Sequence, residues 1–248
     1  MWDDPKELDT AALAIALFAL ALLAWGGLAW AARQPAFAFR EVVVAGPLER
    51  ARGAHLEAVI RNELAGTFFT LNLERARAAL GRVPWVRGVA LRRHWPGRLE
   101  VSVEEHAPLA RWNDAALVNA QGEVFAADFD GELPAFAGPE GAATEVAARY
   151  REWSGMLAPL ALTVRDVRLS PRGGWQLTAA GAAGPIEIEL GRDEPSARLA
   201  RFVAVWGRTV GALARVGTRI AHVDLRYRNG FAARVPGFTE RAPRKGKA

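Results

Sequence analysis

Three regimes of hydrophobic and polar patterning follow one another along the chain. The first is an unbroken apolar run, "AALAIALFALALLAWGGLAWAA", from Ala11 to Ala32. It carries no charge and nothing more polar than Trp. As a helix it is about 33 Å long, enough to cross a hydrocarbon layer of about 30 Å. Trp25 and Trp30 fall near one end, where indole rings favour the membrane interface. The pattern predicts a transmembrane helix over 11–32, preceded by a short tail, 1–10. Ala29-Trp30-Ala31 also has the small-x-small form of a signal-peptidase site. Against cleavage stand the length of the run and the acidic lead "MWDDPKELD", so a retained anchor is the expectation.

The second regime mixes both periods. "FAFREVVVAGPL" (Phe37 to Leu48) reads as a strand stopped by Gly46-Pro47. In "GAHLEAVIRNELAG", Leu56, Val59, Ile60 and Leu64 recur at helical spacing, with Gly66 just beyond. "NLERARAALGRVPWV" predicts another helix, with Asn72 as N-cap and an apolar stripe of Leu73, Ala76 and Leu80. Gly81 and Pro84 end it. In "VRGVALRRHWPGRLEVSVEEH", two alternating runs flank Trp95-Pro96-Gly97, the pattern of a β-hairpin. Together these give a β-α-α-β-β unit, a small sheet with two helices on one face.

The third regime is mostly strand-like. "LARWNDAALVNAQGEVFAA" breaks at Asn113-Asp114 and Gln121-Gly122, predicting a meander of short strands. "FDGELPAFAGPEGAA" reads as a loop. "ATEVAARYREWSGMLAPL" is helical through Val146, Tyr150, Trp153 and Leu157. "LTVRDVRLSPRGGWQLTAAGAAGPIEIELGR" alternates again, with turns at Pro171 to Gly174 and Gly181 to Pro185. A second helix opens at Pro195 and buries Leu199, Phe202, Val203 and Trp206. The fold closes on "HVDLRYRNGFAARV", His222 to Val235. Val223, Leu225 and Tyr227 alternate with Asp224, Arg226 and Arg228 before Asn229-Gly230 interrupts, and Phe231, Ala233 and Val235 resume the beat. A strand added last often lies at a sheet edge, and an edge is either protected or used.

Charge changes this picture little. The net charge is +5, but the arginines are dispersed among acidic residues. The one dense basic run is the tail "RAPRKGKA", and no nucleic-acid motif accompanies it, so no nucleic-acid partner is expected. Only Lys6 precedes the apolar run, whereas Arg33 and Arg40 follow it. That weakly disfavours a cytoplasmic N-terminus, but a long domain can translocate whatever its charge. With no cysteine there is no disulfide, thiolate metal site or cysteine nucleophile.

Candidate chemistry is sparse. His55, His94, His106 and His222 have no metal-ligand spacing, and are expected to be solvated. Ser154 in "WSGM" lacks a nucleophile elbow. Asp128 and Asp130 lack the other ligands of a calcium loop. No enzyme activity, metal or cofactor is expected.

The run "VPWVRGVALRRHWPGRLEVSVEEHAPLARW" resembles the family of bacterial cell-division protein FtsQ. So does the ordered set "EGAATEVAARYREW", "WQLT", "LGR", "RLARFV" and "VDLRY". The resemblance covers Phe37 to Val235. It implies an α+β architecture: one transmembrane helix, a POTRA domain at 37–106, and a β-rich domain at 107–238 with two helices whose last strand is an exposed edge. A flexible basic tail, 239–248, follows. It further implies a non-catalytic divisome scaffold of the inner membrane, with a cytoplasmic N-terminus and a periplasmic body at the division septum. The implied partners are FtsB and FtsL, with FtsK, FtsW, FtsI and FtsN beyond them.

In the family the last strand accepts a partner strand, which gains affinity from main-chain hydrogen bonds. Tyr227 sits where the family has an aromatic contact, and Arg226, Arg228, Asn229, Gly230 and Phe231 around it are the further residues expected to bind the partner. Arg172, before "GGWQLT", matches a further family arginine. Arg172 and Arg226 converging on one partner carboxylate would form charge-assisted bonds. The well-known Gram-negative members carry Gly-Trp where this chain has Arg234-Val235, so either Phe231 supplies part of the aromatic contact or the partner differs. The alternative is a POTRA-bearing transport, secretion or periplasmic chaperone-like protein, for which the barrel or serial POTRA units are missing from the sequence.

Overall fold

The computed structural model describes residues 5–46, 48–51, 53–64 and 66–237. The first four residues, the tail 239–248 and the side chain of His55 lie outside the described residues. The chain divides into two compact units, one ending at His106 and the other beginning at Ala107.

In the first unit, helix α1 runs from Pro5 to Ala32. Its stretch Asp9–Ala32 is long and apolar enough to cross a membrane, and none of it is buried in the protein. A 3₁₀ turn at Pro35–Phe37 follows, so the predicted strand from Phe37 shortens to β1, Glu41–Ala45. Helices α2 (Gly53–Glu63) and α3 (Leu73–Leu80) come next, then strands β2 (Val86–His94) and β3 (Arg98–Glu105). The Asn72 side chain accepts from the Arg75 N–H at 2.9 Å, the N-cap that the sequence predicts.

The sheet order is β1-β3-β2, with β1 parallel to β3 and the β2–β3 hairpin antiparallel. Alternation decides which sheet face is covered: Leu99, Val101 and Val103 are buried, with Leu56, Ala76 and Leu80 of the helices. Glu105 ends β3 and accepts the backbone N–H groups of Glu49, Arg50 and Ala51 at 2.8–3.2 Å. One carboxylate thereby ties down the segment leading into α2. His106, expected to be solvated, is buried instead, because its backbone N–H pairs with the Trp85 carbonyl at 2.8 Å and draws the chain inward.

The second unit is one nine-stranded sheet ordered β12-β11-β10-β9-β8-β7-β4-β5-β6. The meander is β4 (Pro108–Trp112), β5 (Ala116–Asn119) and β6 (Val124–Phe125). The supposed loop after it contains β7, Ala135–Ala137, which pairs in parallel with both β4 and β8. Long strands β8 (Thr163–Leu169), β9 (Trp175–Gly181) and β10 (Gly184–Gly191) make the centre.

Helices α4 (Ala143–Leu157) and α5 (Pro195–Trp206) supply Val146, Trp153, Leu157, Leu199 and Phe202 to the core, against Val167, Leu177, Ile188 and Val223 of the sheet. The Trp153 indole N–H donates to the Ser196 hydroxyl at 3.0 Å, linking the helices. Helix α5 stops at Trp206, and a short α6 (Val210–Arg215) makes three α-helices among the described residues of this unit, not two. The break follows from packing. A Cβ at Gly211 would lie 2.5 Å from the Trp206 indole nitrogen, so this turn fits only glycine beneath the ring.

Candidate functional site

The end of the sheet is built from two very short strands. β11 (His222–Asp224) lies parallel to β10, with Val223 beside Ile188. β12 (Ala232–Arg234) lies antiparallel to β11, with Ala233 beside Val223. β12 is the outermost strand, and all three of its residues are exposed. Its outward backbone therefore offers a row of donors and acceptors of the kind that templates strand addition.

The strand predicted through Tyr227 ends at Asp224. The Leu225 N–H still donates to the Glu189 carbonyl at 2.8 Å, but the chain then bends away. Two carboxylates explain the departure. Asp224 and Arg226 share a face, two residues apart. The Arg226 guanidinium donates to Asp224 at 2.9 and 2.7 Å, its backbone N–H donates to the same carboxylate at 3.0 Å, and Glu189 lies 3.2 Å away. This closed i to i+2 loop replaces ladder bonds. The hydrogen bond from Arg226 holds the Asp224 carboxyl below the usual carboxylate range, and the same bond raises the Arg226 guanidinium.

Beyond the bend, Tyr227 stands 57% exposed, while Leu225 beneath it is buried. Phe231 turns inward and meets Phe202 edge to face at 5.2 Å, and Phe202 in turn meets Trp206 at 5.3 Å. Between them opens a cavity of about 830 Å³, lined by Tyr227, Arg228, Asn229, Gly230 and Phe231 and by Arg198, Arg201 and Phe202 of α5. A shallower cavity of about 520 Å³ lies along Tyr227 to Ala232. Five of the seven expected partner-binding residues are thus together beside the edge.

Arg226 is not free in the same way, since its fork is occupied by Asp224. Arg172 is exposed in the β8–β9 turn. That turn and Arg226 share one end of the sheet, because Trp175 pairs with Gly191 and a Cβ at Gly191 would meet the Arg226 stem. Arg198, which the sequence reading missed, donates to the Leu190 carbonyl at 2.7 Å and lines the cavity. Its place one turn before Phe202, whose burial the sequence did predict, was the available signal. Arg234, where the family has Gly, is exposed in β12, and Val235 is half-buried after it.

The other candidate groups do not converge. His94 pairs with Glu100 at 2.8 Å, His222 lies 3.4 Å from Glu187, and Asp128 and Asp130 are exposed in a loop. Among the described residues, the Ser154 hydroxyl is buried without a hydrogen-bond partner. Among the described residues, no group of three or more His, Cys, Asp or Glu side chains is placed to hold a metal ion.

Comparison with known proteins matches both units separately. Residues 37–106 fit the model of the FtsQ-type POTRA domain, and residues 110–226 that of the C-terminal region of cell division protein FtsQ/DivIB. Cell division protein FtsQ of Burkholderia pseudomallei is 40% identical over 245 residues, covering 96% of each chain. That of Nitrosospira multiformis is 37% identical, covering 94% of this chain and 99% of its own. That of Escherichia coli K12 is 37% identical over 172 residues, covering 67% of this chain and 61% of its own. With a POTRA unit, a β-rich unit and near full-length relatives in agreement, this chain belongs to the FtsQ/DivIB family of POTRA proteins.

Proposed function

We propose that the chain is a non-catalytic scaffold of the divisome. Anchored in the inner membrane by α1, it presents both folded units to the periplasm at the septum. It binds FtsB and FtsL by strand addition along β12, with FtsK, FtsW, FtsI and FtsN as further contacts, and so links early and late division proteins in the control of septal wall synthesis. The apolar helix and membership of the FtsQ family support the inner-membrane, periplasmic arrangement.

The observation that carries the reading is the conjunction at the sheet edge. An outermost strand with open backbone lies directly beside an aromatic-lined cavity and an exposed tyrosine. Main-chain pairing with β12 supplies register-tolerant affinity, and Tyr227 and the cavity supply side-chain selectivity. The charged neighbours on the edge discourage unselective pairing. The closed Asp224–Arg226 pair adds a condition. A partner carboxylate reaching for Arg226 competes with Asp224, so Arg228 and Arg172 are the cations more readily offered.

The test is calorimetric titration of the chain, held in lipid nanodiscs, with the periplasmic part of FtsB from the same organism. Saturable binding lost in Tyr227→Ala supports the scaffold role and the site. Binding unchanged in a folded Tyr227→Ala variant removes Tyr227 from the interface. No binding, with or without FtsL, removes FtsB as the partner of this edge.

A further inference from the structure

The apolar run of α1 ends at Ala32, and the chain is fastened at that point. The Arg33 guanidinium donates back to the Ala29 carbonyl at 3.3 Å. From the turn between α2 and α3, the Thr67 hydroxyl donates to the Ala32 carbonyl at 2.6 Å. Thr67 is buried, its N–H bonded to the Thr70 hydroxyl at 2.9 Å, and it bridges to Ala38. The Phe68 N–H donates to the Phe37 carbonyl at 2.8 Å. The turn is therefore laced to the last residue of the apolar helix.

Five aromatic rings gather here: Phe37 and Phe39 from the segment after α1, Phe68 and Phe69 from this turn, and Trp95 from the tip of the β2–β3 hairpin. Phe37 meets Phe69 at 5.2 Å, Phe68 meets Phe69 at 5.3 Å and Trp95 at 5.4 Å, and Phe39 meets Phe68 at 6.3 Å. Arg93 sits over the Phe68 ring at 6.0 Å. This is not a closed core: Trp95 is 63% and Phe69 53% exposed. Arg33, Arg40 and Arg98 are exposed around the cluster.

Two rings held outward in water forfeit the burial that aromatic residues normally gain. The headgroup layer suits them better, since indole and phenyl groups concentrate there. That layer is about 5–7 Å deep on each side of the hydrocarbon. A cluster hydrogen-bonded to the residue where the span ends falls at that depth. The surrounding guanidinium groups suit lipid phosphates.

We propose that this cluster is a lipid-interface seat: Phe69 and Trp95 insert into the headgroup layer of the leaflet from which α1 emerges, and clamp the POTRA unit to the bilayer surface. The proposal rests on the reading of α1 as membrane-spanning. The seat makes the first domain a rigid extension of the anchor rather than a body on a loose tether.

The absence of native cysteine makes site-specific labelling direct. The full chain is reconstituted into phosphatidylethanolamine–phosphatidylglycerol vesicles. Spin labels are placed singly through Leu20→Cys, Phe69→Cys, Arg98→Cys and Glu104→Cys. Arg98→Cys leaves all five rings in place. Glu104 lies far along β3 from the hairpin tip, about 20 Å at the rise of a strand. Collisions with lipid-soluble oxygen and with a water-soluble nickel chelate report depth.

Labels at 69 and 98 shifted toward oxygen relative to 104, and approaching the label at 20, are the expected result. Adding Trp95→Asp to the Arg98→Cys chain should move that label back toward the nickel reagent; no movement assigns its depth to the tether and overturns the seat. Labels at 69 and 98 as nickel-accessible as 104, with 20 still in lipid, overturn the seat while the span stands. Protection from both reagents at 69 means protein cover and also overturns it. Nickel access at 20 removes the span, and the seat with it.

Discussion

The nine-stranded sheet ends in two short strands, and the two ends are treated in opposite ways. At one end, β6 has only two residues, Val124 and Phe125. The turn feeding it is locked by Asn119, fully buried, whose side chain accepts the N–H groups of Gln121 and Glu123 and donates to the Glu123 carboxylate at 2.6 Å. Gly122 presses against Thr144 at the start of α4. At the other end, β12 has three exposed residues, open backbone and a cavity alongside. Both edges are short, so length alone does not separate a blunted edge from an offered one. What separates them is where the neighbouring polar groups are spent. Around β6 they close on one another. Beside β12, Arg226 closes on Asp224 and Glu189 and His222 lies against Glu187, while Tyr227, Arg228 and Asn229 are left outward.

The sharpest way to break the closed end is Gly122→Ala. Gly122 sits at φ +84°, and a Cβ there would lie 2.3 Å from the Thr144 Cα. Backbone strain and overpacking together should cost about 3 kcal/mol in denaturant unfolding, with FtsB binding retained by the fraction that folds. At the open end the loss should be in binding instead. Tyr227→Ala should weaken FtsB binding by about 2 kcal/mol or more, a hot-spot loss, with the unfolding midpoint unchanged because the ring is largely exposed. A fall in stability without a fall in affinity would reverse the assignment of the two ends.

Phe231→Ala should do some of each. It removes the edge-to-face contact with Phe202, worth about 1 kcal/mol to stability, and opens the cavity floor to water. The smallest effect belongs to Asp224→Asn, read as a pH profile. The native carboxyl is held below its ordinary value of about 4 by the Arg226 hydrogen bond. In the window between the lowered and the ordinary value, the unfolded chain binds more protons. Stability from this group is therefore complete above the ordinary value and is lost as pH falls through the lowered one. Asp224→Asn should flatten the acid limb of the stability profile; an unaltered limb would show that the pair contributes nothing to the edge.

The local devices were legible because each is decided within a few residues. Asn72 caps α3, Trp95-Pro96-Gly97 turns the hairpin, and the stripe Val146, Trp153, Leu157 is buried as its spacing demands. The errors share another cause. β7 is a strand only because β4 and β8 flank it, with Phe136 placed between Trp112 and Val167, so its three residues carry no period of their own. The separation of α6 from α5 depends on what lies beneath Gly211. The early end of β11 depends on Arg226 choosing Asp224 over the ladder, although opposite charges two residues apart on one face were a visible hint.

By itself the sequence determined the apolar run of α1, the β-α-α-β-β order, the long strands β8 to β10 and helices α4 and α5 of the second unit, and a charged, aromatic-bearing stretch closing the chain. Those follow from side-chain periodicity and turn chemistry, which act over one or two turns or a pair of strands. Only the tertiary structure decided that β12 rather than β11 is outermost, that Phe231 faces inward while Tyr227 stays out, that Arg226 is held by Asp224, and that five rings meet where α1 ends. Those outcomes depend on contacts between segments far apart in the chain, whose competition for the same neighbours no local pattern records.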